Sequence, residues 1–269
     1  MARVFHNLLM FTMGLTLRIR VLGYWSLIYG YCGLCTAVAL LKLWWNIILR
    51  PSTTFQWGIR ETPPACLNDT SLGTHCYVRI KESESYRFDY LVTDVKDIVE
   101  YLGYNRCYLV GHDWGGTIAW LFAIHYPEMV TKLIVLNCPH PSVFTDYALC
   151  HPSQLLKSSY FFFFQLPRFP ELMLSINDFK ALKCLFTSRS TGIGRKGRWL
   201  TAEDMEAYLY AFSQPGALTG ALNYYRNVFR DAFLEQEMAE ACRVYIRNHF
   251  RLNIISGASH WLQQDQPDI

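Results

Sequence analysis

The chain has 269 residues, 51% of them hydrophobic and 17% charged, with a formal net charge of +3. A charge this small and scattered, with no basic stripe, excludes a nucleic-acid-binding surface. The length holds a sizeable core in one large domain plus extras, and no fixed-period repeat points to a solenoid.

The first feature in chain order is not globular. Val21 to Leu41 runs for 21 residues without a charge, enough at about 1.5 Å per residue to cross a bilayer core of about 30 Å. Arg18 and Arg20 precede it, Lys42 and Arg50 follow it, and Tyr24, Trp25, Trp44 and Trp45 lie near its ends. Charges and aromatic residues placed this way anchor a helix at both membrane interfaces. A cleaved signal peptide has a shorter apolar region and a clear small-residue cleavage site. The reading is a retained single-pass anchor in contact with membrane lipid. Arg3, Arg18, Arg20 and the amino terminus outweigh Lys42 and Arg50, so the N-terminus is expected in the cytosol and the bulk of the chain in the lumen or outside; the membrane expected is that of the endoplasmic reticulum. The expected organisation is an N-terminal segment 1–20, an anchor 21–43, a linker 44–74 and a domain 75–269 with a helical lid at about 140–222.

Nine cysteines is an odd number, and Cys32 and Cys35 fall inside the anchor, where C-x-x-C is no redox motif. Cys66 and Cys76 bracket Asn68-Asp69-Thr70, a glycosylation acceptor pattern; a disulfide and a glycan there would suit a lumenal domain.

Beyond the polar linker, His75 to Ile80 and Tyr86 to Tyr90 alternate as the arms of a β-hairpin around Lys81 to Ser85. Leu91, Val95, Ile98, Val99 and Leu102 recur at helical spacing and stop at Gly103. Cys107 to Val110 reads as a buried strand, Ile118 to His125 as a helix, and Leu133 to Leu136 as a second buried strand. Strands alternating with helices argue an α/β fold with a parallel sheet. From His140 the prolines, the Tyr160 to Phe164 aromatic run and helical stretches such as Ala202 to Phe212 describe a helical insertion over that sheet. Leu234 to Ile246 then reads as helix and Phe250 to Ile255 as strand, with His260 in the loop that follows.

Between the first strand and its helix stands Gly111-His112-Asp113-Trp114-Gly115. Small, any, nucleophile, any, small at a strand-to-helix corner is the nucleophile-elbow pattern, with aspartate where serine is usual. A helix cap alone would also use aspartate, but it needs neither flanking glycines nor a buried strand just before. Asp113 changes the chemistry. A carboxylate displaces at saturated carbon and leaves an alkyl ester on the enzyme. Water must then cleave that ester, for which a histidine oriented by an acid is the natural base. The substrate therefore carries a good leaving group on carbon, a halide or a strained ring oxygen.

His112 to Gly116, Gly257-Ala258-Ser259-His260-Trp261 and Asn223-Tyr224-Tyr225-Arg226-Asn227 together resemble the α/β-hydrolase-fold epoxide hydrolases, and the likeness covers nearly the whole chain. The resemblance implies an α/β-hydrolase fold with a helical lid and hydrolysis of epoxides to vicinal diols, without metal or organic cofactor. It implies Asp113 as nucleophile, His260 as the base that activates water, Asp231 as the acid that orients it, and Tyr225 and Tyr160 as lid phenols donating to the opening ring. Trp114 lines the cavity and lends its backbone N–H to an oxyanion. The phenols would not stand out by themselves among 17 tyrosines.

The family also carries segments this chain lacks. No His-Gly-x-Pro turn, which completes the oxyanion hole, occurs in the sequence, and Tyr90 runs directly into Leu91. Only six positions separate Tyr225 from Asp231, a reach of about 20 Å that holds no further sheet strand. A last helix after His260 is also implied, against nine residues to Ile269. Two other readings stay open: a haloalkane dehalogenase, which shares the aspartate and the tryptophan after it, and a non-catalytic membrane protein that keeps the hydrolase shell.

Overall fold

The computed structural model describes residues 2–68, 71, 82–188, 192–193, 200–228, 255 and 260–265. Helix α1 spans Ala2–Leu49, and within it Tyr29–Leu49, 21 residues, is long and apolar enough to cross a membrane. Leu34, Leu41, Trp44, Trp45 and Ile48 are exposed on its surface. The helix ends at Arg50, whose φ of −143° and ψ of 60° are non-helical, as expected for a residue before proline. Buried Thr54 closes that end, its hydroxyl donating to Arg50 O at 2.7 Å and Asn46 O at 3.1 Å. Cys66 is exposed and unbridged; Cys76 lies outside the described residues.

The linker is not slack. Arg60 grips Asp178 with two hydrogen bonds, 2.7 and 3.0 Å, and reaches Glu206 at 2.9 Å. Asp178 also accepts from Gly58 N–H at 2.7 Å and from Lys183 at 2.6 Å.

The second arm of the expected hairpin is not a strand. Ser83–Tyr86 form a 3-10 turn and helix α2 begins at Phe88, running Phe88–Tyr101; the first arm lies outside the described residues. The alternation at Tyr86, Phe88 and Tyr90 misled because Phe88, Leu91, Val92, Val95 and Val99 also fit a helical face. That face wins because it packs on Leu121, Phe122 and Met129. The Tyr90–Leu91 junction therefore falls inside a continuous helix. Gly103, φ 79°, ends α2, with Tyr104 N–H on Val99 O and Gly103 N–H on Glu100 O, a Schellman cap.

Strand β1, Cys107–His112, pairs in parallel with β2, Val130–Leu136, through the crossover helix α3, Trp114–His125. These are the two strands of the sheet among the described residues. α2 and α3 cover one face. On the other, Tyr108, Val110 and Ile134 are 66, 59 and 48% exposed, whereas parallel sheets are ordinarily covered on both faces.

The lid follows β2 as α4, Pro141–Cys150, α5, Pro152–Lys157, α6, Ser159–Phe163, α7, Phe169–Thr187, α8, Ala202–Ser213, and α9, 217–228. Pro152 and Pro170 lie in the first turns of α5 and α7, where a missing N–H costs nothing. A Thr201–Asp204 capping box opens α8. α7 is broken at Asn177, Asp178 and Phe179, all with positive φ. A bulky phenylalanine in that region is strained. The Asp178 clamp and burial of Phe179 against Leu182, Phe186 and Leu209 hold it there. α6 rests on α1, with Cys32 Sγ donating to Phe162 O at 3.2 Å and the Tyr31 ring edge-on to Phe162. The helix and strand expected within 234–255 lie outside the described residues, apart from Ile255.

Candidate active site

β1 delivers the chain to the corner, where Asp113 takes φ 53° and ψ −125°. Main chain this strained persists only where the surroundings impose it. A Cβ on Gly111 would collide with Gly115 O, and one on Gly116 would lie 2.7 Å from Cys138 Cβ. A Cβ on Gly115 would meet nothing within 4 Å. The sequence pattern thus identifies the near glycine correctly, but on the far side the close approach falls at Gly116, one place later.

The Asp113 carboxylate is half exposed, and His260 Nε2 stands 3.5 Å from its Oδ1. The main chain of His260 is held from below. Its carbonyl accepts from His112 Nε2 at 2.7 Å and from Asn137 Nδ2 at 2.6 Å. A carbonyl only accepts, so His112 carries its proton on Nε2. Burial holds the pKa of His260 below that of an ordinary histidine, with Asp113 pulling it up and His112 pushing it down. The ring is therefore neutral, as a base must be.

The lid brings the phenols over the carboxylate. Tyr225 of α9 lies edge-on to Trp114 at 5.0 Å and to Phe161 at 5.0 Å, with Tyr160 at 5.7 Å. Burial, then the negative charge of Asp113, push the Tyr160 phenol up to about 12. The same two causes, followed by Tyr160, raise Tyr225 further, while a hydrogen bond with the Trp114 side chain pulls the other way. Both phenols keep their protons and face the site as donors.

Asp113, His260, Trp114, Tyr160 and Tyr225 are brought together; Asp231 lies outside the described residues. The sequence reading missed the supports. Gln165 Nε2 donates to Phe161 O at 3.0 Å and Tyr225 O at 2.8 Å. Arg226 donates to Phe164 O and Leu166 O and forks onto Glu171 at 2.9 and 3.0 Å. Its place beside Tyr225 is the signal that could have found it.

The family described as alpha/beta hydrolase fold matches residues 58–175. The chain is 51% identical over 331 aligned positions to epoxide hydrolase 4 of Mus musculus, covering 93% of this chain and 92% of that protein. To epoxide hydrolase 4 of Homo sapiens it is 50% identical, covering 95% and 92%. A crystal structure of a point mutant of an epoxide hydrolase from Bacillus megaterium superposes with a TM-score of 0.59 at 30% identity, over 71% of this chain and 75% of that one. Another point mutant of an epoxide hydrolase from Bacillus megaterium, solved with its product (R)-3-[1]naphthyloxy-propane-1,2-diol, matches at 35% identity and TM-score 0.50, covering 60% and 54%. The mouse alignment is longer than the 269 residues of this chain, so that relative carries internal segments with no counterpart here. With identity this high over more than nine-tenths of either mammalian relative, on a corner built as described, the chain belongs to the epoxide hydrolase family of the α/β-hydrolase fold.

Proposed function

We propose that the protein hydrolyses epoxides to vicinal diols through an ester on Asp113. One observation carries this reading: a carboxylate lifted by a strained corner, with a neutral histidine on one side and two protonated phenols on the other. Asp113 attacks a ring carbon, the carbon–oxygen bond breaks, and the oxygen takes a proton from a phenol of the Tyr225–Tyr160 pair. As the ester forms, Asp113 loses its charge. The electrostatic part of the phenols' raised pKa vanishes with it, so they become better acids as the alkoxide appears.

His260 then takes a proton from water, and the hydroxide adds to the Asp113 ester carbonyl. The N–H of Trp114, at the head of α3, is the donor proposed for that oxyanion; those of Gly116 and Thr117 are already taken by the Asp113 main-chain carbonyl. Collapse, with the proton on His260 passing to the departing oxygen, frees the diol with the attacking oxygen of Asp113; the water oxygen stays on the Asp113 carboxyl, whose proton returns to the phenolate. Asp231 is the acid proposed to orient His260. Contact of α6 with α1 sets the lid beside the apolar helix, and the Bacillus relative is solved with a naphthyl-bearing diol. Both support a lipophilic substrate. The length and apolarity of Tyr29–Leu49 support a single-pass anchor, proposed to lie in the endoplasmic reticulum membrane with the N-terminus cytosolic from the flanking charges.

The test is one turnover in heavy-oxygen water, followed by mass spectrometry of the elbow peptide. Label on Asp113 is expected. Label in the diol with none on Asp113 would mean direct attack by water and would sink the ester mechanism. A second reading, a non-catalytic hydrolase-like protein, is favoured by the exposed strand face and the missing His-Gly-x-Pro turn. Epoxide turnover unchanged by Asp113→Ala would support it.

A further inference from the structure

The two strand ends are built alike. His112 pairs with Leu136, so Asp113 and Asn137 are the next residues out from matched positions, and Asp113 N–H donates to Leu136 O at 3.3 Å. Both turn with positive φ, 53° and 51°. The turn at Asp113 presents a carboxylate to the cleft. The turn at Asn137 presents an amide, whose Nδ2 reaches His260 O at 2.6 Å beside His112 Nε2 at 2.7 Å. Two donors, one from each strand end, thus occupy both lone pairs of one carbonyl. The His112 ring also packs 4.6 Å from the His260 ring. His260 is fixed through its main chain and meets Asp113 through its side chain.

We propose that His112 and Asn137 form a cradle that positions the histidine base for the ester-cleaving half of the reaction. They are positioning residues that act through His260. The proposal rests on the reading of Asp113 as nucleophile and His260 as base. It predicts a division of labour, because attack on the ring carbon needs no base and only the second step does. A misplacement of about 1 Å in a reacting group costs on the order of a hundredfold in rate. Loss of the cradle slows ester cleavage by that order and leaves ester formation intact.

The substitutions that test this separate donor from fold. Asn137→Gly removes the amide at a position whose left-handed backbone glycine adopts freely. His112→Phe keeps a ring and removes the donor, and His112→Gln returns an amide N–H at similar reach. The full chain in detergent is given naphthyl glycidyl ether. With Asn137→Gly and His112→Phe, diol turnover falls about a hundredfold, the first burst is unchanged, and intact-protein mass shows substrate added to Asp113; His112→Gln regains most of the turnover. Unchanged turnover, or an equal slowing of both halves with no adduct, overturns the cradle.

Wild-type protein that forms neither diol nor adduct would defeat the parent reading instead, and the cradle is then decided by carbon-13 histidine NMR. Among the described residues, the titratable groups that act on His260 are Asp113 and His112. In the wild type its titration lies below the ordinary histidine value, and in Asn137→Gly it relaxes toward that value. A titration unmoved by Asn137→Gly overturns the proposal.

Discussion

The floor of the site and its lid are held by different means. On the floor, geometry resides in the main chain: a parallel ladder, two matched left-handed turns, and Gly111, whose missing Cβ leaves room for Gly115 O. In the lid, geometry resides in charged and amide side chains: Arg226 with Glu171, Gln165 beneath Tyr225, and Arg60 with Asp178. A backbone constraint admits few residue types and so writes a pattern at fixed spacing. An ion pair between positions 118 or 55 apart in sequence writes none.

If that contrast is right, the floor is brittle. Gly111→Ala forces a methyl into main chain that has no room to shift, and is expected to cost about 3 kcal/mol or more, a large part of a domain's margin. Denaturant melts of the full chain check this. A Gly111→Ala protein as stable as wild type would show that the floor yields and would break the comparison.

Tyr225→Phe is the next largest effect and leaves the fold alone. Loss of the donor is expected to slow adduct formation by about a hundredfold, read by stopped-flow with the melting curve unchanged.

Arg226→Met strands Glu171, about four-fifths of whose side chain is buried. Burial, the largest single influence, would raise the Glu171 carboxyl; the hydrogen bond and charge of Arg226, with the Glu171 N–H and the Thr219 hydroxyl, together hold it low. The loss is expected to be about 2 kcal/mol, with slower adduct formation as Tyr225 loosens. Restoring an apolar partner with Glu171→Met in the same protein should recover most of the stability but not the alignment of Tyr225. Full recovery of both would mean that the lid, too, is held by packing rather than by charge.

The smallest effect is set by acid. Hydrogen bonds with Arg60 first, then with Lys183 and Gly58 N–H, hold the Asp178 carboxyl well below the usual carboxylate range against the opposing pull of burial. A depressed folded pKa contributes stability that is present above the unfolded value, about 3.9, and is lost as pH falls from there toward the folded one. Melting temperature should therefore drop by about a few degrees below pH 4 through this clamp. Asp178→Asn should remove that part of the pH dependence and lower the plateau above it.

How far each region could be read follows the same division. Asp113 and Gly111 announced the corner, and the strands and α3 announced the crossover, because main-chain demands select glycine and apolar residues. Tyr160 and Tyr225 were legible through family resemblance alone, since a phenol in a lid looks like any packed aromatic. Asn137, His112 and Arg226 were not legible as supports; each acts on a main-chain carbonyl, which any residue supplies. The break in α7 was hidden as well. Its three left-handed residues include Phe179, a type that no sequence rule places there.

The corner at Asp113 carries one more implication. Its strain belongs to the peptide units and the close contact of Gly111 with Gly115, not to the carboxylate. The position therefore behaves as a socket, into which any short polar side chain tolerant of those angles can be set while the scaffold stays as it is. An ancestor that attacked carbonyls with a hydroxyl and a descendant that attacks saturated carbon with a carboxylate could stand only a few substitutions apart. The same socket bars branched side chains, so the routes open to drift at this residue are few and end in altered chemistry or in none.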